Sequence, residues 1–217
     1  MTDTAPEFLP DLVARLQARV NELRRAGDHA VLLAAANSAA DEIERRVGER
    51  WNNGEGRGDE ERQALTAVKR FTFNAAADCW PGWSLPAKPP DTPHLVRALE
   101  LAQRSARLVE QLGLGPLQEG TGIWLCGAFD LALGRYTDAS SAFAVAREKY
   151  IAANAPGLTL LMEGYSAIVR EIAGHPVPVR GEDLHQVSTR IASGSFEDGE
   201  AWIEQLHTAL KVFAPSS

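Results

Sequence analysis

The stretch Gly122 to Pro156, GIWLCGAFDLALGRYTDASSAFAVAREKYIAANAP, decides how the rest of the chain is read. It predicts two helices joined by a turn at Leu133-Gly134-Arg135. Small residues (Gly127, Ala139) stand where two backbones would have to touch, and Tyr136 and Phe143 stand where rings would fill the adjoining holes. A short turn makes the two helices antiparallel neighbours.

Working outward, the same helical period recurs along the chain. Upstream, Leu9, Leu12, Val13, Leu16, Val20 and Leu23 form one apolar stripe, ended by Gly27. Asp28 caps a second helix with Val31, Leu32, Ala35, Ala39, Ile43 and Val47 inward. Residues 52–58, NNGEGRG, read as a loop. A third helix runs from Asp59 to near Trp80, where Pro81 stops it. Residues 85–93 form a proline-rich connector, and Thr92 caps a fourth helix that Gly113 ends. Downstream of Pro156 a helix runs to Gly174, followed by a connector at 175–181, HPVPVRG. Two last helices span about Glu182 to Ser193 and Phe196 to Phe213. No alternating run rich in Val, Ile and Thr appears, so strands are not expected. The expectation is one all-α domain over residues 1–217: an N-terminal hairpin at 8–51, a core at 59–174 and a C-terminal capping hairpin at 182–214.

The central stretch resembles a tetratricopeptide repeat, with Gly127 at the small position of the first helix, Gly134 and Tyr136 bracketing the turn, and Ala139, Phe143 and Ala146 at the packing positions of the second. Ile123 replaces the usual tryptophan, with Trp124 one place later, and the closing proline is shifted to Pro156. Residues 95–113 can be laid beside 136–154, with Ala98 opposite Ala139. The resemblance implies antiparallel hairpins stacked as a short solenoid with irregular terminal helices, acting as a non-enzymatic scaffold. Its groove would bind a peptide or a partner helix. Trp124 and Ala128 occupy the positions where the best-known subgroup carries Lys and Asn to clamp a terminal carboxylate. An apolar groove at Trp80, Trp83, Trp124 and Ala128, or a groove filled by the C-terminal helices, is therefore expected instead.

Twenty-nine acidic residues against 22 basic ones give a formal net charge of -7, which repels nucleic acid and anionic membrane. No segment has the apolar length of a membrane span, and no basic region followed by an apolar run opens the chain, so a cytoplasmic protein is expected. The expected partners are a protein or peptide, with homo-oligomer formation left open and no cofactor. Cys79 and Cys126 have no metal-ligand spacing and read as small buried hydrophobes.

The alternative is a helical small-molecule or metal-binding protein, or an enzyme, at one of two places. In Asp78-Cys79-Trp80-Pro81-Gly82-Trp83, two indoles, a thiol and a carboxylate could build a pocket, or the indoles could plug the core at a corner. The two Glu-x-x-His strings, Glu182 with His185 and Glu204 with His207, could each present a carboxylate and an imidazole on one helix face.

Overall fold

A computed structural model describes residues 8–54, 58–85, 91–173 and 181–214. The connectors expected at 85–93 and 175–181, the middle of the 52–58 loop and the stop at Gly174 fall wholly or partly outside them. Among the described residues the chain is all-α, with nine helices: α1 Leu9–Ala26, α2 His29–Asn52, α3 Asp59–Asp78, α4 Thr92–Leu112, α5 Pro116–Ala132, α6 Tyr136–Ala152, α7 Pro156–Ile172, α8 Leu184–Ser193 and α9 Gly199–Phe213. A single 3-10 turn, Pro81–Trp83, follows α3. Successive helices pack as antiparallel neighbours, and α5 against α6 is the most extensive contact. Two departures from strict succession matter below: α9 lies on α7, and α9 also reaches the 3-10 turn.

Gly127 explains the closeness of α5 and α6. A Cβ at this position would stand 2.8 Å from the Ala142 methyl and 3.0 Å from the Phe143 ring, so only glycine lets Phe143 seat against α5. Ala139, Phe143 and Ala146 are wholly buried there.

The turns after α4, α5 and α6 are closed in one way. Leu114, Arg135 and Ala155 donate their N–H to the carbonyls of Val109, Asp130 and Tyr150 at 3.1, 2.8 and 2.9 Å. In each turn the preceding residue is left-handed, Gly113, Gly134 and Asn154 with φ of 61°, 71° and 53°. This is the Schellman closure of a helix C-terminus. Asn154 gives a weaker sequence signal than glycine because its side chain only tolerates the conformation.

Some helix limits differ from those expected. The cap of α4 is Asp91, whose carboxylate accepts from the His94 N–H at 3.0 Å, and Thr92 is the first helical residue. A carboxylate at the positive end of a helix has the advantage over a hydroxyl. α5 begins at Pro116, before Gly122; Gly120 and Gly122 are not breakers but contact points for Tyr150 and Ala106. α8 begins at Leu184 behind a capping box of Asp183 and Gln186, and α9 at Gly199. Val31 is 45% exposed, whereas Leu33, Ala36 and Ala40 are buried. α2 meets α1, α3 and α4, so its buried face is broader than one stripe and turned from the expected one.

Ion pairs bind the N-terminal helices side to side. Arg104 of α4 reaches Asp41 at 2.7 Å and Glu44 at 2.8 Å on α2. Arg50 reaches the buried Glu61 at 2.7 Å across the 53–58 loop. No helix is long and apolar enough to cross a membrane, among the described residues.

Candidate functional site

Trp80 is 2% exposed and lies where α3 gives way to the 3-10 turn. Its indole N–H donates to the Ala128 carbonyl at 2.9 Å, which fixes the ring across α5. Gly82 makes the fold-back feasible, since a Cβ there would fall 2.3 Å from the ring. Around Trp80 stand Trp83 edge-on at 5.0 Å between centroids, and Trp124, Tyr165 and Phe213 at 6.0 Å. Edge-to-face contacts of this kind add to the burial of the rings. Phe143 stacks on Tyr165 at 5.0 Å between centroids.

Trp124 is 8% exposed and Ala128 is fully buried. The Trp124 ring packs against Trp80, Trp83 and Tyr165, and the Ala128 carbonyl accepts from Trp80. Trp83 is the one indole of this group with a solvent face, 45% exposed, and its N–H is spent on the Ala77 carbonyl at 2.5 Å. The Trp124 indole N–H lies beside the Tyr165 oxygen without the geometry of a full hydrogen bond. Gln205 of α9 donates to the same oxygen. Burial raises the Tyr165 phenol far above its ordinary range, so it stays protonated at all working pH values.

α9 covers this centre from above. Its Trp202 and Leu206 fill the space over Gly157 and Gly164 of α7, where a Cβ would lie 2.4 and 2.5 Å from them. Phe213, at the end of α9, closes on Trp80.

The other polar members of the 78–83 segment are engaged. Asp78 is held in a two-pronged pair by Arg24, with Nη2 to Oδ1 at 2.7 Å, which ties the end of α1 to the end of α3. Burial first, and the Asp78 charge second, push the Cys79 thiol up to about 12. The Cys126 thiol is likewise pushed up to about 12 by burial, then by Asp130. At pH 8 a thiol of that pKa is ionised to about one part in ten thousand, and the thiolate is the reactive form. We therefore expect both cysteines to react with a disulfide reagent at least a hundredfold more slowly in the native chain than in 6 M guanidinium. Burst labelling of one thiol at pH 8 would contradict that environment.

The Glu-x-x-His residues are not assembled into one site. Glu182 accepts from Arg190 at 2.6 Å, while His185, Glu204 and His207 are exposed. Among the described residues, no group of three or more His, Cys, Asp and Glu side chains could hold a metal ion.

One of several accessible concavities among the described residues lies between α6, α7 and the start of α8. It measures ≈420 Å³, with Glu163, Ser166 and Arg170 of α7 as its floor and Ala144 of α6 in its wall. A second hollow of ≈360 Å³ adjoins it, apolar at Ile151, Pro156 and Leu160, and the two share Arg147, Glu163 and Arg190. Glu163 is the divider: one oxygen accepts from Arg147 at 3.0 Å and the other from Arg190 at 2.9 Å. Sequence reading missed this groove, because its charges come from three helices. The sole signal in the chain was Glu163 and Arg170, seven apart and thus on one face of α7.

Comparison with family models, with curated proteins and with solved structures gives no match for this chain.

Proposed function

We propose that the protein is a non-enzymatic interaction module, a short tetratricopeptide-like stack in which the paired hollows on α6, α7 and α8 receive a peptide or partner helix. The observation that carries this reading is the groove itself. An apolar half at Ile151, Pro156 and Leu160 runs into a charged half at Glu163 and Arg170. Its dividing side chains are already held in place by the pairs to Glu163. A groove whose polar groups are preorganised loses less side-chain entropy on binding.

Repetition of the helical unit supports the scaffold part. α5 and α7 are both 17 residues long, and each begins on a proline, Pro116 and Pro156. Laying α4 beside α6 with Ala98 opposite Ala139 brings Gly113 opposite Asn154, the two left-handed residues that close them. The spacing is longer than the roughly 34 residues of the family named. The added length goes into the helices, and the turns stay short.

Ile151 is the residue on which to test the module, because it is 48% exposed and its replacement leaves the core intact. Peptides selected from a displayed random library on the purified protein are expected to bind at least tenfold more weakly to Ile151→Asp, with the melting temperature unchanged. Selected peptides that bind wild type and I151D alike, or a library that yields none, would remove this groove as the docking site.

A further inference from the structure

We infer that Arg170 is an oxyanion-binding residue, placed to take a carboxylate or phosphate group carried by whatever occupies the groove. This deepens the reading above and rests on it for the identity of the carrier.

The argument begins with how the charges of the cleft are used. Its carboxylates are Glu148, Glu163 and Glu182. All three are engaged by the same two guanidiniums: Arg147 holds Glu148 at 3.1 Å and Glu163 at 3.0 Å, and Arg190 holds Glu163 at 2.9 Å and Glu182 at 2.6 Å. Arg170 is the cleft's third guanidinium. Its hydrogen bond among the described residues goes from Nη2 to a backbone oxygen, that of Glu182. A guanidinium carries five N–H donors in a planar fork, so most of its capacity is left for a ligand.

Two further features keep that capacity available. Arg170 is partly buried, and burial lowers its pKa with no carboxylate raising it, whereas Arg190 is raised by Glu182 and Glu163. Among the described residues Arg170 therefore loses water without gaining a counter-charge, and an entering oxyanion would supply one. Gly181 borders the fork: a Cβ there would stand 3.2 Å from both Nη1 and Nη2. A larger residue would press on the nitrogens that a ligand needs. Ser166, one turn before Arg170 on the floor, gives its hydroxyl proton to the Met162 carbonyl at 2.9 Å and does not compete for the anion as a charge.

The chemistry is shared by carboxylate and phosphate, and charge separates them. The cleft balances three carboxylates with three guanidiniums, so its net field favours neither charge state and the two probes decide between them. Binding of either should weaken with salt, because the site opens to solvent.

The test uses the full chain and two probes, sodium acetate and inorganic phosphate, each against sodium chloride at matched ionic strength. The readouts are the arginine Nε–Hε NMR signal of Arg170, assigned by its loss in Arg170→Gln, and the backbone amide signal of Gly181 beside it, which also reads the site in the lysine variant. A saturable shift with either probe, at least tenfold weaker in Arg170→Lys and kept in Arg107→Gln, a control on α4 outside the cleft, supports the site. Phosphate saturating first assigns the carrier a phosphoryl group; acetate doing as well or better assigns it a carboxylate. No saturable shift beyond the chloride control overturns the inference, as does saturation in R170K equal to wild type. The outcome is independent of the module reading: oxyanions that saturate Arg170 in a protein for which no peptide can be selected would leave this site and remove the module. Selected peptides with an unresponsive Arg170 would do the reverse.

Discussion

Trp80→Ala is expected to destabilise the chain by about 3–5 kcal/mol, the range for deleting a fully buried aromatic side chain. The ring is 2% exposed and touches four other aromatic rings, contributed by the 3-10 turn, α5, α7 and α9. Its removal leaves a hole bordered by side chains that three separate helices hold in position, so the surroundings have little freedom to collapse. The hydrogen bond to Ala128 contributes less. That carbonyl lies inside α5 and keeps its helical partner, so losing the indole N–H costs about 0.5–1.5 kcal/mol. Trp80→Phe should therefore retain more than half of the lost stability. In a chain of this size each kcal/mol corresponds to about 2–4 °C in the melting temperature. Trp83→Ala provides the internal control, because its ring is 45% exposed and should cost less than about 1.5 kcal/mol. Urea denaturation followed by far-UV circular dichroism measures all three. Equal losses for W80A and W83A would show that the centre is not organised around Trp80.

The second large effect is at Gly164, where α9 crosses α7. A Cβ would lie 2.5 and 2.8 Å from the two methyls of Leu206. Leu206 is wholly buried. Gly164→Leu is expected to lift α9 from α7, at a cost of about 3 kcal/mol, the upper part of the usual range for overpacking. Helix propensity works the other way, by about 1 kcal/mol for replacing an interior glycine. Gly164→Ala is accordingly expected to lose at most about 2 kcal/mol. Hydrogen exchange reads the structural part: amides of Gly199–Phe213 should lose protection in G164L while those of α2 to α4 keep theirs. Leu206→Ala alone should cost about 2–5 kcal/mol through the cavity it leaves. In the double variant the new leucine occupies that cavity, so the two losses should sum to more than the combined loss. Strict additivity would refute the contact.

Gly157 and Gly164 show why the docking of α9 could not be read in advance. Each is an ordinary glycine in the sequence, and Gly157 after Pro156 reads as part of a helix start. Their use as seats for Trp202 and Leu206 depends on which helix returns to cover α7, and no local pattern encodes that choice. Trp80 and Trp83 illustrate the same limit from the other side. The sequence offered a pocket or a plug at 78–83; in the fold Trp80 is buried as a plug, Trp83 lies at its rim, and Asp78 is taken by an arginine 54 residues away.

The groove residues were less legible still. Arg147, Glu163, Arg170 and Arg190 are common residue types without a motif, and they meet only because α6, α7 and α8 do. Long side chains reach across several ångströms, so their partners are set by tertiary distance and not by spacing along the chain.

The sequence by itself determined the nine helices found among the described residues, their antiparallel succession through short turns, and the inward faces of most of them. These follow from the 3.6-residue period, from glycine and proline at helix ends, and from turns too short to place neighbours apart. The tertiary structure alone decided the rotation of α2 that leaves Val31 outside, the return of α9 onto α7, the closing of the aromatic centre, and the groove that holds Arg170. Those depend on packing between residues far apart in the chain, where shape and desolvation select one arrangement among several that local preferences allow equally.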